Sequence, residues 1–187
     1  MNWYCDYAID DPLHGSYHDT EYGFPLDDEA RLFERLVLEI NQAGLSWGLM
    51  LKKRDAFFNA YEGYDVARIA RYDAANRKRL LKNAAIIRNR LKVDAVIHNA
   101  GVVEAMRDSH GGFSAWLKAH HPLQKKAWVK RFRETFKFTG GEITGEFLMS
   151  TGYLPGTHRP SCPAYARILA ANPPWLDVGE EFYASGE

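Results

Sequence analysis

The sequence RKRLLKNAAIIRNRLKVDAVIHNA fills residues 77–100 and decides the fold. It begins as a helix that runs to Asn83, passes through the short apolar stretch 84–87, and then starts a new helical pattern. Glycine stops helices readily, so the new pattern is expected to end at Gly111. Apolar residues recur through it at helical spacing: Val93, Val96, Ile97, Ala100, Val103 and Met106. The segment therefore predicts a helix, a tight apolar turn and a second, longer helix.

Another pair of helices is predicted upstream. Apolar residues recur at helical spacing over 32–40, after an N-cap at Asp27 or Asp28. Ser46 is typical of the N-cap of the next helix, because its hydroxyl can accept a bond from a backbone N–H that has no helical partner. The hinge Gly44-Leu45 joins the two helices.

The rest of the chain adds short helices and no sheet. Further helices are predicted over 66–72, 113–121, 128–136, 142–151 and 165–171. The stretch FKFT at 136–139 has strand character but is too short to build a sheet. Residues 1–25 are predicted to be a structured loop region, and the tail after Pro174 is predicted to be irregular. The fold class is therefore all-α, in a single domain over residues 1–187.

Length and composition are those of a globular protein. The chain has 187 residues, 46% of them hydrophobic, which is enough to bury a sizeable core. Charged residues interrupt every apolar stretch well before the ~20 residues that span a bilayer. The first residues are acidic and lack the pattern of a secretion signal. We therefore expect a cytoplasmic protein with no membrane partner.

Charge is strongly segregated along the chain although the net charge is zero. From Arg68 to Lys92 there are nine basic residues and one acid, whereas the rest of the chain has 15 basic and 23 acidic residues. Such a distribution can create one surface that meets phosphate while the remainder repels it. The alternative is a solvated helical face whose acidic partners come from elsewhere in the fold.

The two cysteines lie at opposite ends of the chain, each near a histidine. Cys5 precedes His18, and His158 precedes Cys162 by four residues. Two thiolates and two imidazoles form the donor set of a closed, structural zinc site. Two alternatives remain open from spacing alone: reduced thiols beside surface histidines, or a disulfide between the cysteines. The disulfide is disfavoured because no secretion signal accompanies it.

Several motifs together resemble the DNA-3-methyladenine glycosylase I family. The resemblance runs from residue 5 to residue 162 and combines the split Cys/His set with QAGLSW, KKR and IIRNR. In order, the matching residues are Cys5, Asp11-Pro12-Leu13, Tyr17-His18-Asp19, Glu21-Tyr22-Gly23, Leu32-Phe33-Glu34, Leu38-Glu39, Gln42 to Trp47, Leu51 to Arg54, Ile86 to Lys92, Phe136-Lys137-Phe138, His158 and Cys162.

The resemblance implies a fold, a metal and a partner. It implies a helix-hairpin-helix glycosylase fold, with the hairpin at about 77–100, and a monomeric protein. It implies a structural zinc held by Cys5, His18, His158 and Cys162, which ties the terminal segments 1–25 and 153–187 together. The implied partner is double-stranded DNA with alkylated bases, and the implied product is the free modified base. The implied DNA contacts are Gly44, Leu45, Arg88, Arg90 and Lys92, with Leu45 filling the gap that the extruded base leaves.

Excision of an alkylated base requires an aromatic pocket that contains one hydrogen-bond acceptor. A base must leave the stack before its glycosidic bond can be cut, and an alkylated adenine that carries positive charge is attracted to aromatic faces. We predict Trp47 and Tyr17 as the main aromatic residues, with Tyr7 and Tyr22 as a secondary wall. The resemblance implies that Glu39 is the catalytic residue and that its carboxylate accepts hydrogen bonds from the amino edge of the base. Glu39 lies on the apolar helix before QAGLSW. The alternatives are a surface acid paired with Lys or Arg for Glu39, and an ordinary core position for Trp47.

The sequence departs from the family pattern at several points. Ala85 stands where the hairpin usually has glycine, and Tyr7 and Tyr22 stand where tryptophans are usual. Ile40-Asn41 replaces a more usual Gly-x, and the run 147–150 follows two unexpected acids, Glu142 and Glu146. Three hypotheses follow: a base excision repair enzyme that hydrolyses the glycosidic bond of 3-methyladenine or a related alkylpurine, a diverged module that binds DNA or a modified base, and a zinc-stapled helical protein without a nucleic-acid role.

Overall fold

A computed structural model describes residues 3–184, and within that range the chain is helical with no strand. The predictions that concern residues 1–2 and 185–187 lie outside the described residues. The helices are α1 (Cys5–Ala8), α2 (Gly15–Thr20), α3 (Glu29–Gln42), α4 (Trp47–Ala60), α5 (Val66–Ile69), α6 (Ala74–Lys82), α7 (Arg90–His110), α8 (Phe113–His120), α9 (Lys125–Thr135), α10 (Gly141–Ser150), α11 (Pro163–Ala170) and α12 (Glu180–Ala184). Single 3₁₀ turns occur at Glu62–Tyr64 and Pro174–Asp177. The all-α prediction is confirmed.

Both terminal segments contain more helix than the sequence predicted. Residues 1–25 include α1 and α2, and the tail after Pro174 includes a 3₁₀ turn and α12. The prediction of irregular ends was wrong because these helices are four to six residues long. Helices this short are too brief to show a repeating apolar pattern, and their stability comes from packing against the rest of the fold.

The helix starts follow the capping residues of the sequence. The Asp28 side chain accepts from the Arg31 N–H at 2.9 Å, and the Ser46 hydroxyl accepts from the Leu49 N–H at 3.3 Å. Asp65 caps α5 in the same way. Each cap satisfies a backbone donor that has no partner inside the helix, which fixes where the helix begins.

Helix α3 lies at the centre of the molecule. Every residue from Leu32 to Asn41 is buried, and α4, α7, α8 and α10 pack around the helix. The position buries charged side chains, which need partners there. Arg54 supplies one set: its guanidinium binds both oxygens of Glu21 at 2.7 Å and the Glu34 carboxylate at 2.6 Å. The network anchors α4 and the loop after α2 to the central helix.

Helices α6 and α7 form the predicted helix–turn–helix. The Asn83 side chain accepts from the Ala85 N–H at 3.0 Å inside the turn, and buried Ile86 anchors the turn to the core. Arg77 on α6 and Asp94 on α7 form an ion pair at 2.9 Å. Ala85 is not among the residues of 3–184 that adopt positive φ. Alanine in place of the glycine that is usual in the family therefore causes no backbone strain in this turn.

None of the helices in residues 3–184 combines the length and the apolar character needed to cross a bilayer.

Candidate functional site

A cavity of about 430 Å³ opens between α3, α4, α10 and the N-terminal segment. Its aromatic lining consists of Trp3, Tyr4, Tyr7, Tyr17, Tyr22 and Trp47, and its polar lining includes Glu39, Gln42 and Glu146. All five residues that the sequence analysis assigned to a base pocket therefore line one cavity. The volume suits a small aromatic ligand, and most of the wall is aromatic.

Two aromatic side chains form the inner wall. The ring centres of Tyr17 and Trp47 lie 4.9 Å apart, and Tyr22 lies 5.7 Å from Tyr17. Arg35 fixes Tyr17 from behind: its guanidinium donates to the Tyr17 hydroxyl at 2.8 Å and stands 4.7 Å from the ring centre. Tyr7 is 57% exposed, so it forms the rim of the cavity rather than its wall.

Glu39 is the buried acid of the cavity. It is 3% exposed and forms neither an ion pair nor a hydrogen bond within residues 3–184. Burial, helped by the negative charge of Glu146 and opposed by Arg35, raises the pKa of its carboxyl to about 8. The alternative of a surface acid paired with a cation does not describe this residue. Its carboxyl is available to a ligand as an acceptor or, when protonated, as a donor.

The sequence analysis did not assign a role to Glu146, Tyr4 or Gln42. Glu146 lies on α10 and accepts a hydrogen bond from the Tyr22 hydroxyl at 3.2 Å. The Tyr4 hydroxyl shares a hydrogen bond of 2.7 Å with His14 Nδ1. Glu146 had a signal in the sequence, as an acid in an otherwise apolar run, but only the fold shows that α10 reaches the cavity.

The turn between α3 and α4 borders the cavity, since Gln42 ends one helix and Trp47 begins the next. Gly44 has φ +78°, a conformation that favours glycine, and no atom lies near its position for a Cβ. Leu45 beside it is 42% exposed. The turn therefore exposes an apolar side chain between Gln42 and Trp47, two residues that line the cavity.

Lys92 does not lie where its predicted DNA contact requires. It is 5% exposed, and its ammonium donates to the carbonyl oxygens of Asn41 and Ala43, each at 2.7 Å. These carbonyls belong to the end of α3, where helical acceptors have no helical donor. The prediction is corrected: Lys92 is bound to the end of α3 because α7 packs beside it, and its charge is not at the surface.

The basic stretch from Arg68 to Lys92, the basic window, contains some side chains that form ion pairs and others that do not. Ion pairs with acids occupy Arg68, Arg71 and Arg77, so the alternative of a solvated face with acidic partners holds for part of the window. Exposed side chains that form no ion pair within residues 3–184 are Lys78, Arg79, Lys82, Arg88 and Arg90, and of these Arg79 donates to the Ala60 carbonyl at 2.9 Å. These five lie on α6, at the start of α7 and in the connection between them.

The four predicted metal ligands lie together in the interior. One donor atom from each of Cys5, His18, His158 and Cys162 lies within 4.8 Å of the others, and all four residues are buried. His158 Nδ1 is 3.6 Å from Cys5 Sγ and 3.4 Å from Cys162 Sγ, and His18 Nε2 is 3.6 Å from Cys162 Sγ. Tetrahedral zinc with ordinary ligand bond lengths separates its donors by about 3.3–3.8 Å. The residues therefore fit a four-coordinate metal ion.

Both histidines are oriented by a second hydrogen bond. His18 Nδ1 bonds the Asp19 carboxylate at 2.7 Å, and His158 Nε2 bonds the Tyr22 carbonyl at 2.8 Å, which directs the other nitrogen of each ring to the cluster. Burial lowers the pKa of His158 to about 4, so its imidazole is neutral, as a ligand must be. Both cysteines are free, so the disulfide alternative fails. The alternative of surface histidines also fails.

Comparison with known proteins gives consistent matches. The sequence pattern of the family described as methyladenine glycosylase matches residues 7–140. DNA-3-methyladenine glycosylase 1 of Escherichia coli strain K12 is 33% identical over 183 residues, which cover 86% of this chain and 96% of the relative. DNA-3-methyladenine glycosylase of Haemophilus influenzae is 31% identical over 182 residues, which cover 87% of this chain and 98% of the relative.

Solved structures of similar proteins share the fold. A crystal structure of 3-methyladenine DNA glycosylase I superposes with a TM-score of 0.77 at 34% identity, covering 85% of this chain and 97% of that one. A structure of 3-methyladenine DNA glycosylase I from Staphylococcus aureus, described as the structural basis of 3-methyladenine recognition, superposes with a TM-score of 0.77 at 28% identity. The match covers 86% of this chain and 95% of that one. The coverage, the identity and the shared fold together show that this chain belongs to the methyladenine glycosylase family of enzymes.

Proposed function

We propose that this protein removes 3-methyladenine, or a closely related alkylpurine, from DNA by hydrolysing the N-glycosidic bond of a flipped nucleotide. One observation carries the proposal: Glu39 is a buried carboxyl with no partner among the described residues 3–184, and it opens onto an aromatic cavity of about 430 Å³. A buried carboxyl without a partner is costly, so a cavity that keeps one points to a ligand that completes it. The related proteins named above are glycosylases of this base, and another structurally similar protein, a variant of 3-methyladenine DNA glycosylase I, was solved in complex with 3-methyladenine.

The cavity suits a cationic base in two ways. Tyr17 and Trp47 offer electron-rich faces, and a cation that is out of water gains about 2 kcal/mol from such a contact. Glu39 offers an acceptor to the amino edge of the base. In the empty cavity its carboxyl tends to hold a proton, and the arriving positive charge would favour ionisation, so the ion pair would form as the base enters.

The hydrolysis asks little more of the protein. A cationic base is already a good leaving group: when the glycosidic bond breaks, the base departs as a neutral purine and the positive charge passes to the sugar. Water then adds to the sugar carbon and gives up a proton, so the protein needs mainly to hold the base extruded and to admit water. Glu39 would act by contacting the base, and no separate general base is assigned. Water needs access to the sugar, and the open mouth of the cavity leaves room for it.

DNA would be bound through the surface around the α3–α4 turn and the α6–α7 segment. We propose that residues 77–100 act as a helix-hairpin-helix whose backbone N–H groups meet phosphate, with Arg88 and Arg90 supplying charge. Leu45, exposed between two residues that line the cavity, would fill the gap in the stack, with Gly44 allowing the turn. The protein would work as a single domain and a monomer in the cytoplasm.

A structural zinc is part of the proposal. Cys5, His18, His158 and Cys162 would hold it, and a closed set of four donors gives a metal ion a structural role, because no position remains for water or substrate. The ion would join the N-terminal segment, which carries Tyr17 and Tyr22, to the C-terminal segment. The aromatic wall would thereby be held in place.

Release of free 3-methyladenine from methylated DNA tests the proposal. The unaltered protein should release it, and Glu39→Gln and Trp47→Ala should each reduce the rate, by roughly 10²-fold for the lost carboxylate. Glu134→Gln removes an exposed acid that does not line the cavity and serves as the matched control. Thermal unfolding of each variant shows that the fold is intact. No release by the unaltered protein would favour the binding-module hypothesis instead.

A further inference from the structure

A second acid, Glu146, shares the cavity with Glu39. It lies on α10, and one oxygen of its carboxyl accepts from the Tyr22 hydroxyl at 3.2 Å. Its other oxygen accepts no hydrogen bond within residues 3–184, and the carboxyl forms no ion pair there. Tyr22 belongs to the aromatic wall, so the hydrogen bond holds the acid at the edge of the space that a base would fill. The free oxygen is available to a ligand.

The charges around Glu146 do not neutralise it. Glu39 on α3 lines the same cavity, and Glu142 lies one turn earlier on its own helix. Lys125 on α9 lowers the pKa of Glu146, but its side chain runs beside Gly145 without forming an ion pair with the acid within residues 3–184. Arg35, the cation nearest to Glu39, donates its hydrogen bonds to Tyr17, Glu21 and the Ser150 carbonyl.

Two carboxyls therefore line one small cavity, and within residues 3–184 neither of them forms an ion pair with a cation. Burial raises the pKa of both, and the charge of Glu146 contributes to the shift at Glu39. In a partly enclosed cavity, like charges are screened less than at the surface, so the pair resists full ionisation. A positive ligand relieves that repulsion, whereas a neutral ligand of the same shape does not.

We propose that Glu146 is a second recognition residue of this pocket, and that it strengthens the preference for a positively charged purine over a neutral one. The proposal rests on the proposed function, since it assumes that an extruded purine fills the cavity. Glu146 would contact the base through its free oxygen, while the Tyr22 hydrogen bond keeps the carboxyl in place. The selectivity of the pocket would thus depend on two acids on two helices, and not on Glu39 alone.

Two free bases of nearly the same shape test this directly. The permanent cation 3,9-dimethyladeninium represents the charged base, and neutral 9-methyladenine is its partner probe. Binding to the purified, metal-loaded protein is followed by tryptophan fluorescence, because Trp47 lines the cavity. The unaltered protein should bind the cation more tightly. Glu146→Gln should reduce the ratio of the two dissociation constants by about tenfold, because the amide keeps the hydrogen bond to Tyr22 but loses the charge.

Glu142→Gln is the matched control. It removes an exposed acid one turn earlier on α10 that does not line the cavity, and it should change the ratio by less than about twofold. An unchanged ratio in Glu146→Gln, an equal effect of the two variants, or a lack of preference in the unaltered protein would overturn the proposal. So would a failure of both probes to bind.

Release of 3-methyladenine from methylated DNA, measured on the same samples, separates this proposal from the proposed function. Release with an unchanged ratio in Glu146→Gln would sink the role of Glu146 and leave the glycosylase activity standing. A cation preference that depends on Glu146 without any release would support the recognition residue and reject the activity. Release together with a tenfold loss of preference supports both.

Discussion

Replacing Lys92 by methionine should destabilise the protein without removing a DNA contact. The ammonium of Lys92 donates to the carbonyl oxygens of Asn41 and Ala43, each at 2.7 Å. Methionine keeps the length and the apolar stem of the side chain but offers no donor. The two carbonyls at the end of α3 then lose their charged partner, and the turn that carries Leu45 loses its attachment to α7.

The expected magnitude follows from these two bonds. A hydrogen bond to a charged group contributes about 1.5–3 kcal/mol. Burial of the ammonium offsets part of that gain, and the same burial lowers the pKa of Lys92. We therefore expect the free energy of unfolding to fall by about 2 kcal/mol, which in a domain of this size lowers the melting temperature by about 4–8 °C.

Thermal unfolding and salt-dependent DNA binding distinguish the two roles of a basic residue. Arg88→Met is the matched control, because Arg88 is exposed and forms no ion pair within residues 3–184. If Arg88 contacts a phosphate, its replacement should reduce the slope of log affinity against log salt by about 0.9 and leave the melting temperature unchanged. Lys92→Met should lower the melting temperature and leave the slope unchanged. A Lys92→Met protein of normal stability with a reduced slope would refute the reasoning.

Two further predictions concern the buried acid and the metal. The folded-state pKa of Glu39, about 8, lies above its ordinary value of 4.5, so the folded protein holds the proton more tightly and stability is lost as pH rises through that interval. Glu39→Gln should therefore unfold at a higher temperature than the unaltered protein near pH 8 and at a similar temperature near pH 4.5; a difference that does not grow with pH contradicts the burial of this carboxyl. Elemental analysis should find about one zinc per chain, and Cys162→Ser should lose the metal and unfold at a markedly lower temperature. Protein purified without chelator that contains no metal would exclude the zinc site.

Much of the fold could be predicted from the sequence, because helices are specified locally. The cap at Ser46 depends on a backbone donor three residues away. The apolar period of α3 depends only on the spacing of residues within each helical turn. The same locality made the long helix α7 and its start after the turn at 84–87 predictable. Glu39 was predictable as a buried acid, since its immediate neighbours on the helix are apolar.

The functional site was predictable only where a residue type carries its chemistry with it. Cysteine and histidine are the side chains that zinc prefers, and the resemblance to the glycosylase family implied that Cys5 and His158, 153 positions apart, share one metal ion, before their Sγ and Nδ1 atoms were seen at 3.6 Å. Lysine and glutamate carry no such information. A basic residue within a basic stretch is expected to lie at the surface and to contact DNA there, and Lys92 was predicted to do so.

The sequence by itself therefore determined the longer helices, their caps and, through the family resemblance, the donor set of the metal cluster, but not the short helices at the two ends. The tertiary structure alone decided that Lys92 binds the end of α3, that Arg77 is taken up by an ion pair, and that Glu146 opens onto the same cavity as Glu39. The physical reason is that backbone capping and periodicity act over a few residues. The charge state and the partner of a side chain are set by the groups that pack against it, and those come from distant parts of the chain.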